Sequence, residues 1–352
     1  MSRYLIDQYQ SLEAYVPGEQ PQDMQYVKLN TNENPYPPSP AVIAAASREA
    51  GRLQLYSDLV CAGVRDAIAD LHGVKRENVY VSNGSDDILN FAFMAFAGQG
   101  GRAYFPDISY GFYKVFGDLY GVDYTRIPLE ADFSIDPVKY HSLDGLIVIA
   151  NPNAPTGMAL SVHEIEGIVR SNPGHVVLID EAYVDFGAQS CVPLTAKYDN
   201  LLVCQTFSKS RSMAGARLGF AIADAGLIAD LDRIKYSTNP YNVNLMTCAA
   251  GAAAIRDNDY YMKHCRLIEA TRAETTSRLQ ALGFTVLPSQ ANFVFAKSDR
   301  IGGGELYLEL KKRGVLVRHV TAPRIRDFNR ITLGTPGQMD VLIDRIKERL
   351  GA

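Results

Sequence analysis

From residue 41 onward the chain alternates between two hydrophobic patterns. Short, unbroken apolar runs at Arg102–Phe105, Leu146–Ala150, Val176–Ile179, Leu201–Thr206 and Gly219–Ile222 are separated by longer stretches of helical composition. A short apolar run bounded by turn formers reads as a strand buried on both faces. Ala41–Ala50 and Cys61–His72 read as helices, the second stopped by Gly73. Asn78–Val81 reads as a further strand, Ser82–Ser85 as a turn and Asp86–Ala97 as an apolar helix. Ser161-x-x-Glu164 is the pattern of a capping box at a helix start. The alternation predicts an α/β fold, with a mostly parallel sheet covered by helices on both sides.

Near Asn239-Pro240 the alternation breaks. One long helical stretch is predicted from Asn244 to Leu282, ended by Gly283. Strand-like runs at Phe293–Ala296, Val315–Arg318 and Ile331–Leu333 follow, and then a closing helix from Gly337 to Leu350. This predicts a second, smaller α+β unit. The division is an arm over 1–40 packing with the small unit, a large unit over 41–243 and a small unit over 244–352. The arm reads as irregular, because Asn30-Thr31-Asn32-Glu33-Asn34-Pro35-Tyr36-Pro37-Pro38 is dense in turn formers. A polar arm of this length is a linker or a loop over a site. Gly302-Gly303-Gly304 reads as a surface loop.

Composition narrows the function more than the fold. The chain has 352 residues, 47% hydrophobic and 21% charged, with a net charge of −4. No basic block or basic–aromatic alternation points to nucleic acid. The five cysteines are widely spaced and show no metal-ligand pattern, which argues against a structural metal and for a reducing compartment. No apolar run approaches the ~18 residues of a membrane span, and Met1–Gln10 lacks an apolar signal core. A cytoplasmic protein is expected. A nucleotide-binding dehydrogenase is disfavoured, since no Gly-x-Gly-x-x-Gly turn follows a first strand.

Four segments carry candidate chemistry, each at the end of a predicted strand, where open α/β sheets bind ligands. Leu201–Thr206 runs into Phe207-Ser208-Lys209. Alone, Lys209 reads as a surface residue; buried, it is an amine able to form an imine. His175–Ile179 ends in Asp180, with Tyr183 three residues on. Asp180 is either a helix cap or a carboxylate that holds a protonated ring nitrogen. Ser82-Asn83-Gly84-Ser85-Asp86 opens a helix whose free N–H groups suit a phosphate. The Asp86 carboxylate is then expected to point away from the anion. Asn151-Pro152-Asn153-Ala154-Pro155-Thr156-Gly157 forms a stiff loop after another strand, and Arg217 sits among small residues before Gly219.

In order and spacing, the 151–157 loop, Asp180-Glu181-Ala182-Tyr183, Ser208-Lys209 and Arg217 resemble the class I/II aminotransferases of fold type I, which depend on pyridoxal 5'-phosphate (PLP). The resemblance spans essentially the whole chain. It implies a mostly parallel sheet of the seven-stranded type between helices. Leu12–Gly18, Lys28–Pro35, Gly314–Arg318 and Asn329–Thr335 resemble the histidinol-phosphate aminotransferases within that group.

The resemblance implies a Schiff base on Lys209, Asp180 at the pyridine nitrogen and Tyr183 at the phenolate oxygen. It implies Tyr110 stacked on the ring, and Ser85, Asp86, Ser208 and Arg217 around the phosphate. Tyr56 reaches that phosphate from a second subunit, which makes a homodimer. Arg330 grips a substrate carboxylate, while Tyr15 and Arg318 hold the substrate's phosphate end. The expected reaction is ping-pong transfer from histidinol phosphate to 2-oxoglutarate, in histidine biosynthesis. The same residues are compatible with an aromatic amino acid aminotransferase, a phosphothreonine decarboxylase or a non-catalytic PLP-binding protein. One position departs from the pattern: many relatives carry Asn before Pro-Thr-Gly, and this chain has Ala154. Asn153, a water, or Tyr183 alone is left to make the phenolate contact.

Overall fold

The computed structural model describes residues 2–351, so Met1 of the arm and Ala352 of the closing unit lie outside the described residues. The arm carries α1 (Asp7–Gln10) and β1 (Val27–Leu29). Then come α2 (Pro40–Ala50), α3 (Ala62–His72), β2 (Val79–Ser82), α4 (Ser85–Phe96), β3 (Arg102–Pro106), α5 (Phe112–Tyr120) and β4 (Asp123–Ile127). β5 (Leu146–Ala150), α6 (Val162–Ser171), β6 (Val177–Asp180), β7 (Leu201–Thr206), β8 (Gly219–Ala223) and α7 (Ala225–Thr238) follow. The rest is α8 (Leu245–Arg256), α9 (Asn258–Ala281), β9 (Phe284–Val286), β10 (Phe293–Ser298), α10 (Gly303–Lys312), β11 (Val315–His319), β12 (Phe328–Thr332) and α11 (Pro336–Leu350).

The large sheet has seven strands in the order β2-β8-β7-β6-β5-β3-β4. β8 runs antiparallel to both neighbours, and the other pairs are parallel. Strand alternation sorts its side chains into two cores. Leu146, Val148, Leu178 and Leu202 face α4, α5 and α7. Ile147, Ile149, Ile179 and Val203 face α2, α3, α6 and α8. That double covering is why β5 is apolar throughout and β7 is apolar from Leu201 to Cys204. The Ser161–Glu164 capping box starts α6 as expected.

The second sheet has the order β1-β11-β12-β10-β9. Its core packs against α9, α10 and α11. Among the described residues, no helix is long and apolar enough to cross a membrane.

Three expectations need correction. The arm is not wholly irregular: β1 pairs in parallel with β11, Val27 beside Val315. A three-residue strand whose partner lies far along the chain leaves no periodicity to read. The stretch 244–282 is two helices, broken at Asp257. There the Asp257-Asn258-Asp259 run offers side-chain competitors for backbone hydrogen bonds. Moreover α8 packs on α2 and α3, so its apolar side belongs to the core of the large sheet.

Finally, Gly302-Gly303-Gly304 is no surface loop. Gly302 caps α10, and Gly303 is buried with the backbone of Arg326 and Asp327 about 2.7 Å from where a Cβ would sit. Gly303→Ala should therefore lower stability by about 1–3 kcal/mol in urea unfolding. Gly302→Ser, which adds a capping hydroxyl in open space, should hold or raise it.

Candidate active site

The carboxyl ends of β5, β6 and β7 point to the same side of the large sheet, together with the end of β2 and the start of β8. An inner cavity of about 140 Å³ opens there. Its walls include Ser85, Asp86, Tyr110, Asp180, Tyr183, Ser208, Lys209 and Arg217. It shares Tyr110, Ala154, Tyr183 and Lys209 as walls with an adjoining outer cavity of about 400 Å³ that is also lined by Tyr15, Arg318 and Arg330.

Two backbone positions shape the inner wall. Gly84, at φ 85°, precedes α4, and a Cβ there would lie 2.7 Å from Arg217 Nη2. Gly219 brings β8 against the start of α4, with Ser85 N 2.4 Å from where a Cβ would be. Gly219 is required by the close approach of backbone, and Gly84 first by its positive φ. Arg217 itself holds φ 53°, an uncommon value for a residue with a side chain.

Lys209 follows β7 and is half-buried, its remaining surface facing the cavities. Its Nζ donates to the Thr31 carbonyl at 3.1 Å. Burial, reinforced by Arg330, pushes the amine down to about 8. Asp180 is 4% exposed at the end of β6. It accepts from Tyr113 Oη at 2.8 Å and from the Ala182 N–H at 3.2 Å. Burial pushes its carboxyl up to about 6, against the pull of those two donors. Its neighbour Glu181 turns the other way, into a buried set with Ser190, Cys191 and Gln205.

Tyr183 accepts from Asn32 Nδ2 at 2.9 Å. Arg217 donates to Asp86 Oδ2 at 2.8 Å and to Ser208 Oγ at 3.3 Å. Contrary to the expectation from the sequence, the Asp86 carboxylate therefore does not turn away. It takes Arg217 on one oxygen and Tyr110 Oη, at 2.8 Å, on the other. Burial, with that carboxylate adjacent, keeps Tyr110 far above its usual value and therefore neutral.

Two expected residues lie elsewhere. Asn153 does not line either cavity. Its amide is committed to the Ile108 carbonyl, Thr156 Oγ1 and Ser109 Oγ. The Ala154 position therefore has no amide substitute from its neighbour. Tyr56 is 80% exposed and stacks on Tyr241, with ring centroids 4.4 Å apart.

In the outer cavity, Arg318 of β11 and Arg330 of β12 are directly opposite in an antiparallel pair. Like charges so placed repel each other. Arg318 donates to the carbonyls of Val16 and Pro17 in the arm, and Arg330 to that of Asn30. Neither has a carboxylate partner among the described residues, and Arg330 Nε is buried with no acceptor. Tyr15 packs on Phe112 at 4.4 Å between centroids, beside Tyr110.

Sequence reasoning missed Tyr113, Asn32, Asn34 and Thr332. Asn34 Nδ2 donates to the Lys209 carbonyl at 3.1 Å, and Thr332 holds Asn32. The one available signal was the dense Asn30–Pro38 segment, which reads as a loop over a site.

The chain matches the family described as aminotransferase class I and II over residues 24–346. It is 47% identical over 349 residues to a histidinol-phosphate aminotransferase of Brachyspira hyodysenteriae, covering 99% of each chain. It is 48% identical to one of Marinomonas sp., again over 99% of each. The fold is similar to that of the histidinol-phosphate aminotransferase of Sinorhizobium meliloti solved with pyridoxal-5'-phosphate. There the TM-score is 0.89 at 20% identity, covering 100% of this chain and 98% of that one. Full-length identity of this degree, on a fold with these cavities, makes the chain a member of the class I and II aminotransferases and, among them, of the histidinol-phosphate aminotransferase family.

Proposed function

We propose that this chain is a PLP-dependent aminotransferase that exchanges the amino group of histidinol phosphate with 2-oxoglutarate, giving imidazole acetol phosphate and glutamate. One observation carries the reading. One cavity gathers an amine of lowered pKa, a buried carboxylate, a phenol and an Arg–Ser pair, and it adjoins a second with two opposed arginines that have no carboxylate partner among the described residues. The residues suit PLP. Gly84 leaves a cradle beside Arg217, and the N-terminus of α4 faces the same wall.

Lys209 would hold the cofactor through Nζ, and Asp180 would pair with its ring nitrogen. Ser85, Ser208 and Arg217 would hold its phosphate, with Tyr110 against the ring. When bound, the cofactor supplies an electron sink for the carbon that loses its proton. Lys209 Nζ would take that proton from the substrate Cα and deliver it to the cofactor carbon rather than back to Cα, a role its lowered pKa suits near neutral pH. Asp180, at about 6, is mostly ionised at pH 7, and a cationic partner draws it lower still. Arg330 grips the carboxylate of 2-oxoglutarate or glutamate, while Arg318 and Tyr15 receive the phosphate end of histidinol phosphate. The arm residues Asn30 to Asn34 cover the reacting groups and exclude water. The enzyme works as a cytoplasmic homodimer that receives Tyr56 from the second subunit. Exposed Leu53, Leu55 and Tyr56 in one loop support that contact.

Lys209→Ala should abolish both turnover and the visible absorbance of the bound cofactor; a yellow, active variant would sink the reading. Mixing the wild-type holoenzyme with histidinol phosphate should change that absorbance in a half-reaction. No change at millimolar substrate would remove the substrate assignment. Arg330→Lys, which loses the planar fork, should raise the KM for glutamate about tenfold or more and affect kcat less.

Asp180 also sets a pH effect on the cofactor-free protein. A carboxyl raised in the folded state stays protonated where the unfolded chain is already ionised. Its contribution to stability is thus lost as pH rises from the model-peptide value of about 4 to about 6. Asp180→Asn should accordingly stabilise the cofactor-free protein by about 2 kcal/mol at pH 7.5. The same variant should bind PLP poorly, and thermal unfolding with and without PLP reads both effects.

A further inference from the structure

Tyr183 has a hydrogen-bond partner that fixes which way its proton points. Asn32 donates from Nδ2 to Tyr183 Oη at 2.9 Å. The Thr332 hydroxyl selects this orientation of the amide. Thr332 Oγ1 accepts from the Asn32 backbone N–H at 3.0 Å, and the one acceptor for its own proton among the described residues is Asn32 Oδ1, also at 3.0 Å. That leaves Nδ2, which can only donate, facing the phenol. Tyr183 Oη accepts there, and its single proton has no protein acceptor among the described residues. It is free to enter the inner cavity, whose wall Tyr183 forms. Burial holds the phenol above its usual range, so it stays a neutral donor.

The holding residues are placed with little freedom. Asn32 is 1% exposed at φ 57°, and Thr332 is 3% exposed in β12. The Asn32 carbonyl accepts from Asn292 Nδ2 at 2.9 Å. Asparagine is among the few residues that tolerate this backbone region. Ala154, which also lines the inner cavity, brings no amide to it, and the amide of Asn153 is spent elsewhere.

We propose that Thr332 and Asn32 are positioning residues that orient the Tyr183 hydroxyl as an obligate donor to the phenolate oxygen of PLP, so that one directed donor makes the contact an Ala154 side chain cannot make. The inference rests on the PLP reading above. A donor stabilises the ionised oxygen, so it lowers the pH at which the bound cofactor changes colour.

The test is a spectrophotometric pH titration of the holoenzyme, with Tyr183→Phe as the reference for a lost donor. Asn32→Asp replaces the donor Nδ2 by an acceptor oxygen of the same shape, which takes the tyrosine proton for itself. Its midpoint should rise by about one pH unit, close to that of Tyr183→Phe. Adding Asn32→Asp to Tyr183→Phe should shift the midpoint no further. Thr332→Val, which frees the amide to rotate, should give a smaller rise, and Thr332→Ser should restore the wild-type midpoint. A Thr332→Val midpoint equal to wild type in a yellow, folded protein would overturn the proposal, even if Asn32→Asp failed to fold. A shift in Asn32→Asp that adds fully to that of Tyr183→Phe would also overturn it. Wild-type protein that binds no PLP would instead refute the cofactor reading itself.

Discussion

Taking charge out of water is the constraint around which this site is organised. An ionised group moved into a protein interior loses several kcal/mol of hydration unless partners replace it. Lys209, Asp180 and Arg330 all face that cost within one pair of adjoining cavities. The protein compensates each only in part. Lys209 has one carbonyl, Asp180 has a phenol and one N–H, and Arg330 has one carbonyl and an idle Nε. Partial compensation lowers the amine, raises the carboxyl and leaves binding capacity unspent. A fully satisfied ion pair at these positions would be chemically inert.

The arm is what makes that burial possible. Arg330, Lys209 and Tyr183 meet Asn30, Thr31 and Asn32 in turn, three successive residues of a segment too polar to pack as a core. Its carbonyls serve the cations and its side-chain amide serves the phenol. β1 then ties this segment to the second sheet through β11, the strand that bears Arg318. Asn32 and Asn34 are thus explained by the hydrogen bonds their side chains make to the site.

The sequence was legible where physics acts locally. β5, β6 and β7 are buried on both faces, so their apolar runs stand out, and Asp180 and Lys209 are found by counting from their ends. β4, an edge strand reading Asp-Tyr-Thr-Arg-Ile, carries no such run and gave no signal. α5, rich in Phe and Tyr, reads equally well as strand. The supporting residues were hidden for another reason. Tyr113 reaches Asp180 across 67 positions, Asn32 reaches Tyr183 across 151, and Thr332 reaches Asn32 across 300. Nothing in a local window distinguishes such a residue from an ordinary core tyrosine or turn asparagine. Gly303 misled for the same reason, since the backbone it must clear lies more than twenty residues on.

β12 joins the two halves of the site. In a strand, alternate residues share a face, and Arg330 and Thr332 are two apart. The first binds the Asn30 carbonyl and lines the outer cavity; the second holds Asn32, which holds Tyr183 at the inner one. Both attachments therefore keep a spacing set by the strand itself, and β10 on one side and β11 on the other fix that strand in the sheet. A site carried on a packed strand is held more tightly than one carried on a loop. The arm segment is itself a loop, but Asn30 and Asn32 are both pinned to β12, so this part of it inherits the strand's register. The guanidinium that lines the outer cavity and the phenol that lines the inner one are thus both tied to positions two apart on one strand.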